Sequence, residues 1–249
     1  MKTLTKLVSA AAVALSLAAV AAPSQAMVFA QFSPLTNATN YTWTNNGAGN
    51  SGTGGTFTAS GGVAFSFLDP ALSSIQFALP TTLSANFTVA NGNAATFTAG
   101  PQTWTQTNLT GDFSLIYNGP SQFFGSIFVT NGSNLLSGHV INAWIQGNGG
   151  TGSTNLSIGN GGSLSYTSDY EQFSHLIPNT EEFAFNLLGV NPAFGANAGK
   201  ALKSFTANGG GNFSFQASVP EASTWALMIM GFGGVGVMIR RRRQGAAFA

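Results

Sequence analysis

Phe183-Ala184-Phe185-Asn186-Leu187 sets a large apolar side chain on every second residue, with small or polar residues between. That period belongs to a strand with one face buried and the other in water. The alternation recurs in Val63-Ala64-Phe65-Ser66-Phe67, Ile75-Gln76-Phe77-Ala78-Leu79, Phe87-Thr88-Val89 and Phe113-Ser114-Leu115-Ile116-Tyr117. It returns in Leu164-Ser165-Tyr166 and Phe213-Ser214-Phe215, and Phe57 begins the series. Turn-prone groups punctuate these runs: Asn46-Gly47, Ser60-Gly61-Gly62, Asn91-Gly92, Asn118-Gly119-Pro120, Asn131-Gly132, Asn160-Gly161-Gly162 and Asn208-Gly209. No long stretch has a 3.6-residue period. Residues 27–218 are therefore expected to be all-β, an antiparallel β-sandwich or jelly-roll-like domain.

Composition narrows the function classes. Only 6% of the 249 residues are charged, against about a quarter in ordinary domains. The chain has no cysteine, which excludes disulfides, thiolate metal sites and a cysteine nucleophile. Its 21 phenylalanines supply apolar area that a disordered chain lacks. From Met27 to Ser218 the acids are Asp69, Asp112, Asp169, Glu171, Glu181 and Glu182 and the bases Lys200 and Lys203, a net charge of −4. No basic footprint for nucleic acid is present. The polar faces carry Ser, Thr and Asn, a neutral surface suited to hydrogen bonding with a polysaccharide matrix. Edge strands without charged gatekeepers also predict self-association.

Short strings recur, Phe-Thr-Ala at Phe57, Phe97 and Phe205 and Gly-Asn-Gly-Gly at Gly147 and Gly159, but their flanks do not align into a repeat. For Gly147–Gly162 a β-solenoid and a long loop are both open, and Asn45–Gly55 reads as a loop.

Both ends carry addressing segments. Lys2 and Lys6 precede the small and apolar run Leu7–Ala22, and Ser24-Gln25-Ala26 is a small-x-small cleavage box. Residues 1–26 form a secretory signal peptide, cleaved after Ala26 to leave Met27 first. At the other end, residues 219–249 open with Val219-Pro220-Glu221-Ala222-Ser223-Thr224-Trp225-Ala226. An uncharged run follows to Ile239, and then Arg240, Arg241, Arg242 and Arg243. Residues 222–239 make about 27 Å of helix at roughly 1.5 Å per residue, near the lower limit for crossing a bilayer core. The arginines are a stop-transfer cluster held on the cytoplasmic side, and Trp225 suits the opposite interface. The expectation is a single C-terminal transmembrane helix.

In this order of parts the tail resembles the PEP-CTERM sorting signal, and more closely its PEPxxWA subtype from Gram-negative bacteria. Pro220, Glu221, Trp225 and Ala226 match that core, while Ala222 stands in place of the second proline. The resemblance covers residues 219–243. It implies recognition by an exosortase, a membrane-embedded processing enzyme. It also implies a route from inner-membrane anchoring, with the body in the periplasm, to the cell surface or extracellular matrix. The same segment is also known as a terminal domain of ice-binding proteins.

No catalytic motif stands out. Asp169-Tyr170-Glu171-Gln172-Phe173-Ser174-His175-Leu176 and Glu181-Glu182 concentrate titratable groups, but the spacing matches neither an EF-hand nor a zinc signature. They are expected to form a solvated loop and short helix. His139 is expected to be a hydrogen-bonded core or edge residue. A glycosidase would need converging carboxylates, for which Asp112 with Asp69 and Glu181 with Asp169 are the pairs on paper. Trp43, Trp104 and Trp144 are either core residues or sugar-stacking platforms. No metal, cofactor-binding or catalytic residue is expected. The leading expectation is a non-enzymatic exported protein associated with a biofilm or exopolysaccharide, structural or adhesive in role. A carbohydrate-binding or ice-binding β-sandwich module is the alternative, and a secreted hydrolase comes third.

Overall fold

The structure is a computed structural model, and it describes residues 26–36, 40–173 and 180–216, the side chains of residues 159, 160 and 216 excepted. The strands are β1 (Ala26–Pro34), β2 (Tyr41–Asn45), β3 (Gly55–Phe67), β4 (Leu79–Val89), β5 (Thr96–Thr98), β6 (Thr103–Tyr117) and β7 (Gln122–Phe124). They continue with β8 (Ile127–Val129), β9 (Asn134–Asn148), β10 (Ser153–Thr167), β11 (Glu182–Asn191), β12 (Phe205–Asn208) and β13 (Gly211–Gln216).

The six long strands β3, β4, β6, β9, β10 and β11 lie side by side, each antiparallel to the next. Two further staves close the circle, each made of two short strands in line. Along β3, β2 pairs with residues 55–59 and β1 with residues 63–67. Along β11, β13 pairs with residues 182–185, while β12 meets Leu188 and Asn191. β1 then pairs with β13, and β2 with β12. The result is a closed up-and-down barrel of eight staves.

The body is thus all-β and antiparallel, but the expected sandwich or jelly roll is corrected. Those folds pack two sheets face to face. Here each stave pairs with its neighbour in sequence and the last with the first, so one sheet curls onto itself. Inner faces alternate identically in both architectures, and only the pairing tells them apart. Closure also pairs every stave on both sides, which removes the long open edges on which self-association was expected.

Some apparent punctuation lies inside strands. Ser60-Gly61-Gly62 is in mid-β3, where the partner on one side changes from β2 to β1. Asn160-Gly161-Gly162 falls in β10, where its register against β9 shifts between Ile158 and Ser163. β6 and β9 are bulged nearby, with Asn108 at φ 63 and Asn142 at φ 59. Bulges add local twist and bend, which a small closed barrel needs. Asn208-Gly209 separates two collinear strands. At Gly209 φ is +143, and a Cβ would sit 1.8 Å from the Asn186 carbonyl oxygen, so only glycine fits the break. Residues 147–162 are a hairpin, β9 turning into β10, and not a solenoid. Ile75-Gln76-Phe77 is no strand either. Pro70–Ile75 is a 3-10 turn whose first turn is capped by the Asp69 carboxylate, accepting from the Ala71 N–H at 2.7 Å.

The lumen is filled. Phe113 on β6 stacks on Phe213 of β13, four staves round the barrel, with centroids 5.3 Å apart. Phe87 on β4 faces Phe183 on β11 at 6.1 Å, again from across the barrel. Phe29, Phe57, Phe65, Phe185 and Tyr41 are buried with them. An eight-stranded barrel has an interior about wide enough for side chains to fill, and aromatic rings fill it here.

The two ends differ. Both body termini, Ala26 and Gln216, lie at one end, here called the terminal end, with residues 68–78, 118–133, 168–173 and 180–181. At the opposite, distal end the segment after β11 plugs the mouth, with Phe194, Ala201 and Leu202 buried. The Leu202 carbonyl accepts from Trp43 Nε1 at 3.0 Å and from Asn45 Nδ2 at 2.9 Å, and its N–H donates to buried Gln106 at 3.3 Å. Among the described residues no helix is long and apolar enough to cross a membrane. The helix expected at 222–239 lies outside the described residues.

Candidate functional site

Outward-facing residues alternate with the aromatic lining, and strand register lines them up in rows. Thr44, Thr56, Thr88 and Thr110 are mutual partners across β2, β3, β4 and β6. Two residues along, the row reads Thr206, Thr42, Thr58, Asn86, Asp112, His139 and Ser165. Two further on, it reads Ser60, Ser84, Ser114, Ser137 and Thr167. Neighbours in a row are about 4.8 Å apart, and rows about 6.8 Å apart, by the spacing of any pleated sheet. The barrel wall from β2 to β10 therefore presents a lattice of hydroxyls and amides. This is the reverse of a lipid-facing barrel, which turns its apolar residues outward.

A titratable pair interrupts the lattice. His139 Nδ1 lies 2.7 Å from Asp112 Oδ1 across β6 and β9, with side chains 50% and 77% exposed. His139 is hydrogen-bonded as expected, but it stands on the outer wall of an interior stave and not in the core or at an edge. Ser137 Oγ and Thr167 Oγ1 meet at 2.7 Å, and Asn134 Nδ2 donates to Ser137 Oγ at 2.9 Å. These links hold part of the array in place without charge.

A second polar feature lies at the distal end, a cleft of about 520 Å³ lined by Gln146, Asn148, Thr154, Asn155 and Asn186 among others. Gln146, Asn155 and Asn186 are register partners across β9, β10 and β11. Gln146 Nε2 donates to Thr105 Oγ1 at 2.9 Å. The lining carries no charge.

The tryptophans do not form one platform. Trp43 is fully buried, a core residue. Trp104 belongs to the inward-facing row of Gly147, Thr154 and Leu187 and tilts against Phe97 at 4.8 Å. Trp144 is half-buried on the outer wall, opposite Ser157.

Asp69 and Asp112, one of the two carboxylate pairs, lie on different parts of the fold. Asp69 caps the 3-10 turn, and Asp112 belongs to the outer wall. Asp169 Oδ2 accepts from the Asn134 N–H at 2.8 Å, securing the start of β9. Glu171 is buried, so the segment is less solvated than its sequence suggests. His175 lies outside the described residues. Among the described residues no group of three or more His, Asp or Glu is placed to hold a metal.

Of the addressing residues, Ala26 opens β1 and pairs with Gln216. Pro220, Glu221, Trp225, Ala226 and Arg240 to Arg243 lie outside the described residues. The hydroxyl lattice escaped sequence reading because its threonines are irregularly spaced along the chain. The available signal was Ser or Thr recurring between buried residues in successive runs.

Comparison with known proteins bears on the tail alone. Residues 218–243 match the family model described as the PEP-CTERM protein-sorting motif. The chain therefore carries a signal for export and for processing by an exosortase-type membrane enzyme. No curated protein and no solved structure matches the chain.

Proposed function

We propose that this is a non-enzymatic exported protein, released to the cell surface or extracellular matrix. Its outer wall there hydrogen-bonds neutral stretches of exopolysaccharide in a structural or adhesive role. The observation that carries the reading is the lattice of aligned Thr, Ser and Asn side chains on β2, β3, β4, β6, β9 and β10. Such a surface offers many weak donors and acceptors and almost no charge. A hydroxylated polymer can match it over several rows, and no single residue dominates. The filled lumen supports a role carried on the outside.

The test is binding of the host's own purified exopolysaccharide to the full chain and to a Thr56→Val, Thr58→Val, Thr88→Val variant. Valine keeps the β-branched shape and removes the hydroxyl. Losing three hydrogen bonds at roughly 0.5–1.5 kcal/mol each weakens binding about tenfold or more. Asn155→Ala in the distal cleft serves as comparison. If that change alone weakens binding, the cleft and not the wall is the site; if neither does, the reading falls.

The Thr44–Thr56–Thr88–Thr110 row favours one second reading, an ordered-water or ice surface as the ligand. A wall twisting by about 20–25° per strand fits a flat lattice poorly. Absence of thermal hysteresis in the purified protein removes this reading.

A further inference from the structure

The exposed apolar side chains of the body are unevenly placed. Of the ten large ones among the described residues, Met27, Val28, Leu68, Phe77, Phe123 and Phe128 lie at the terminal end, against Phe97 and Leu188 at the distal end and Leu35 and Ile141 between. The most exposed are Phe123 at 69% and Phe77 at 63%. Phe123 and Phe128 are cross-strand partners on the β7–β8 hairpin, with centroids 4.7 Å apart. Phe77 stacks on Phe124 of the same hairpin at 6.5 Å, which fixes the segment after the 3-10 turn against it. A Cβ on Gly125 would come 2.8 Å from Ser74 Oγ, a second close contact between the two segments. The hairpin is thus braced with its phenylalanines outward, and residues 118–133 carry no charge.

The same end is where the chain departs toward its tail. Gln216 ends β13, and the uncharged run begins at Ala222, six residues on. Six residues span at most about 20 Å when extended. We propose that, while the tail is in the membrane, the aromatic tip of the β7–β8 hairpin and Phe77 rest in the lipid interface and hold the barrel on end. Exposed rings with uncharged flanks suit that layer. The tether makes the contact intramolecular, so a weak interaction suffices. Asp69, Asp169, Glu171, Glu181 and Glu182 belong to the same end. Their charge opposes binding to anionic lipid once the tether is cut. Contact therefore lasts only until processing and does not hold the released body back. The proposal rests on the sorting motif and is independent of the polysaccharide reading.

The absence of cysteine permits a clean test. Phe123→Cys and Phe97→Cys, one at each end, are each made in the full chain and labelled with an environment-sensitive fluorophore. The labelled proteins are then reconstituted through the tail into vesicles of phosphatidylethanolamine and phosphatidylglycerol. Both positions are at least half exposed, at 69% and 50%, so neither change empties the core. The expected result is blue-shifted emission at 123, with quenching by spin-labelled lipid several-fold stronger than at 97. Equal quenching at both positions, or none at 123, overturns the proposal. A blue shift at 123 without quenching by spin-labelled lipid, together with a dimer trapped by cross-linking at position 123 of the Phe123→Cys variant, also overturns it, and assigns the tip to a second copy of the chain.

Discussion

Phe113 and Phe213 stack across the barrel at 5.3 Å and 21°, from staves on opposite sides. Two rings meeting in this way block the lumen at their level, with Phe87 and Phe183 facing across it as well. Gly138 makes the arrangement possible, since a Cβ there would come within 2.7 Å of the Phe113 ring. Phe113→Ala is expected to cost about 3–5 kcal/mol, the range for deleting a buried aromatic. Denaturant unfolding of the variant checks this. A loss below about 1 kcal/mol would mean that the rings do not support each other.

Barrel closure makes a sharper prediction. Ala26 and Gln216 are register partners, and antiparallel partners lie about 5 Å apart. A circular permutant joining residue 216 to residue 27 through an Asn-Gly turn, with new ends in the turn at 149–152, is expected to fold. Its far-UV spectrum and melting temperature should lie close to those of the parent. An unfolded product would argue against the β1–β13 pairing.

Trp43 anchors the distal plug through its Nε1 bond to the Leu202 carbonyl. Trp43→Phe removes that donor, though Asn45 still donates to the same oxygen, and the smaller ring leaves part of a fully buried site empty, so the loss is about 2 kcal/mol. Gly55→Ala is worse, because its Cβ would lie 2.5 Å from the Trp43 ring. Thermal melts of the two variants should rank them in that order.

Stability should fall in alkali. Tyr41 and Tyr166 are buried, and burial holds both phenols well above their usual range; the nearby Glu181 charge adds to the effect at Tyr166. In the unfolded chain they ionise near pH 10. Above that pH the unfolded state has released protons that the folded state keeps, so stability decreases as pH rises. Melting temperatures between about pH 8 and pH 12 should show a plateau and then a decline beginning near pH 10. Tyr166→Phe should make the decline shallower.

The signal peptide expected at residues 1–26 and the sorting motif at residues 218–243 together predict a defined mass change. In its own host the mature chain should lack residues 1–26 and the tail after about residue 220, and Pro220→Ala with Glu221→Ala should leave the tail attached in the membrane fraction. Intact mass and fractionation read both outcomes.

Much of this was legible residue by residue. Phe183, Phe185 and Leu187 announce the inward face of β11, and Phe213 and Phe215 that of β13, because period two needs no partner to be recognised. The tail was legible for a related reason: Pro220, Glu221, Trp225 and Ala226, the apolar run and Arg240 to Arg243 act through their linear order. What local pattern misassigned were Gly61-Gly62 and Gly161-Gly162. A glycine pair looks the same at a hairpin and at a bend within a long strand, and only the neighbouring stave distinguishes them.

Short-range order along the chain suffices to make the body all-β with an aromatic interior and a neutral exterior, and to write an export and sorting address at its end. Other features exist only once the chain is folded. The sheet closes into a barrel, and Thr44, Thr56, Thr88 and Thr110 come into one row. Asp112 meets His139, and the exposed phenylalanines of the β7–β8 hairpin gather where the chain ends leave. Each of these depends on strand register, which is set by contacts between residues far apart in the chain and fixed at once by one shared core.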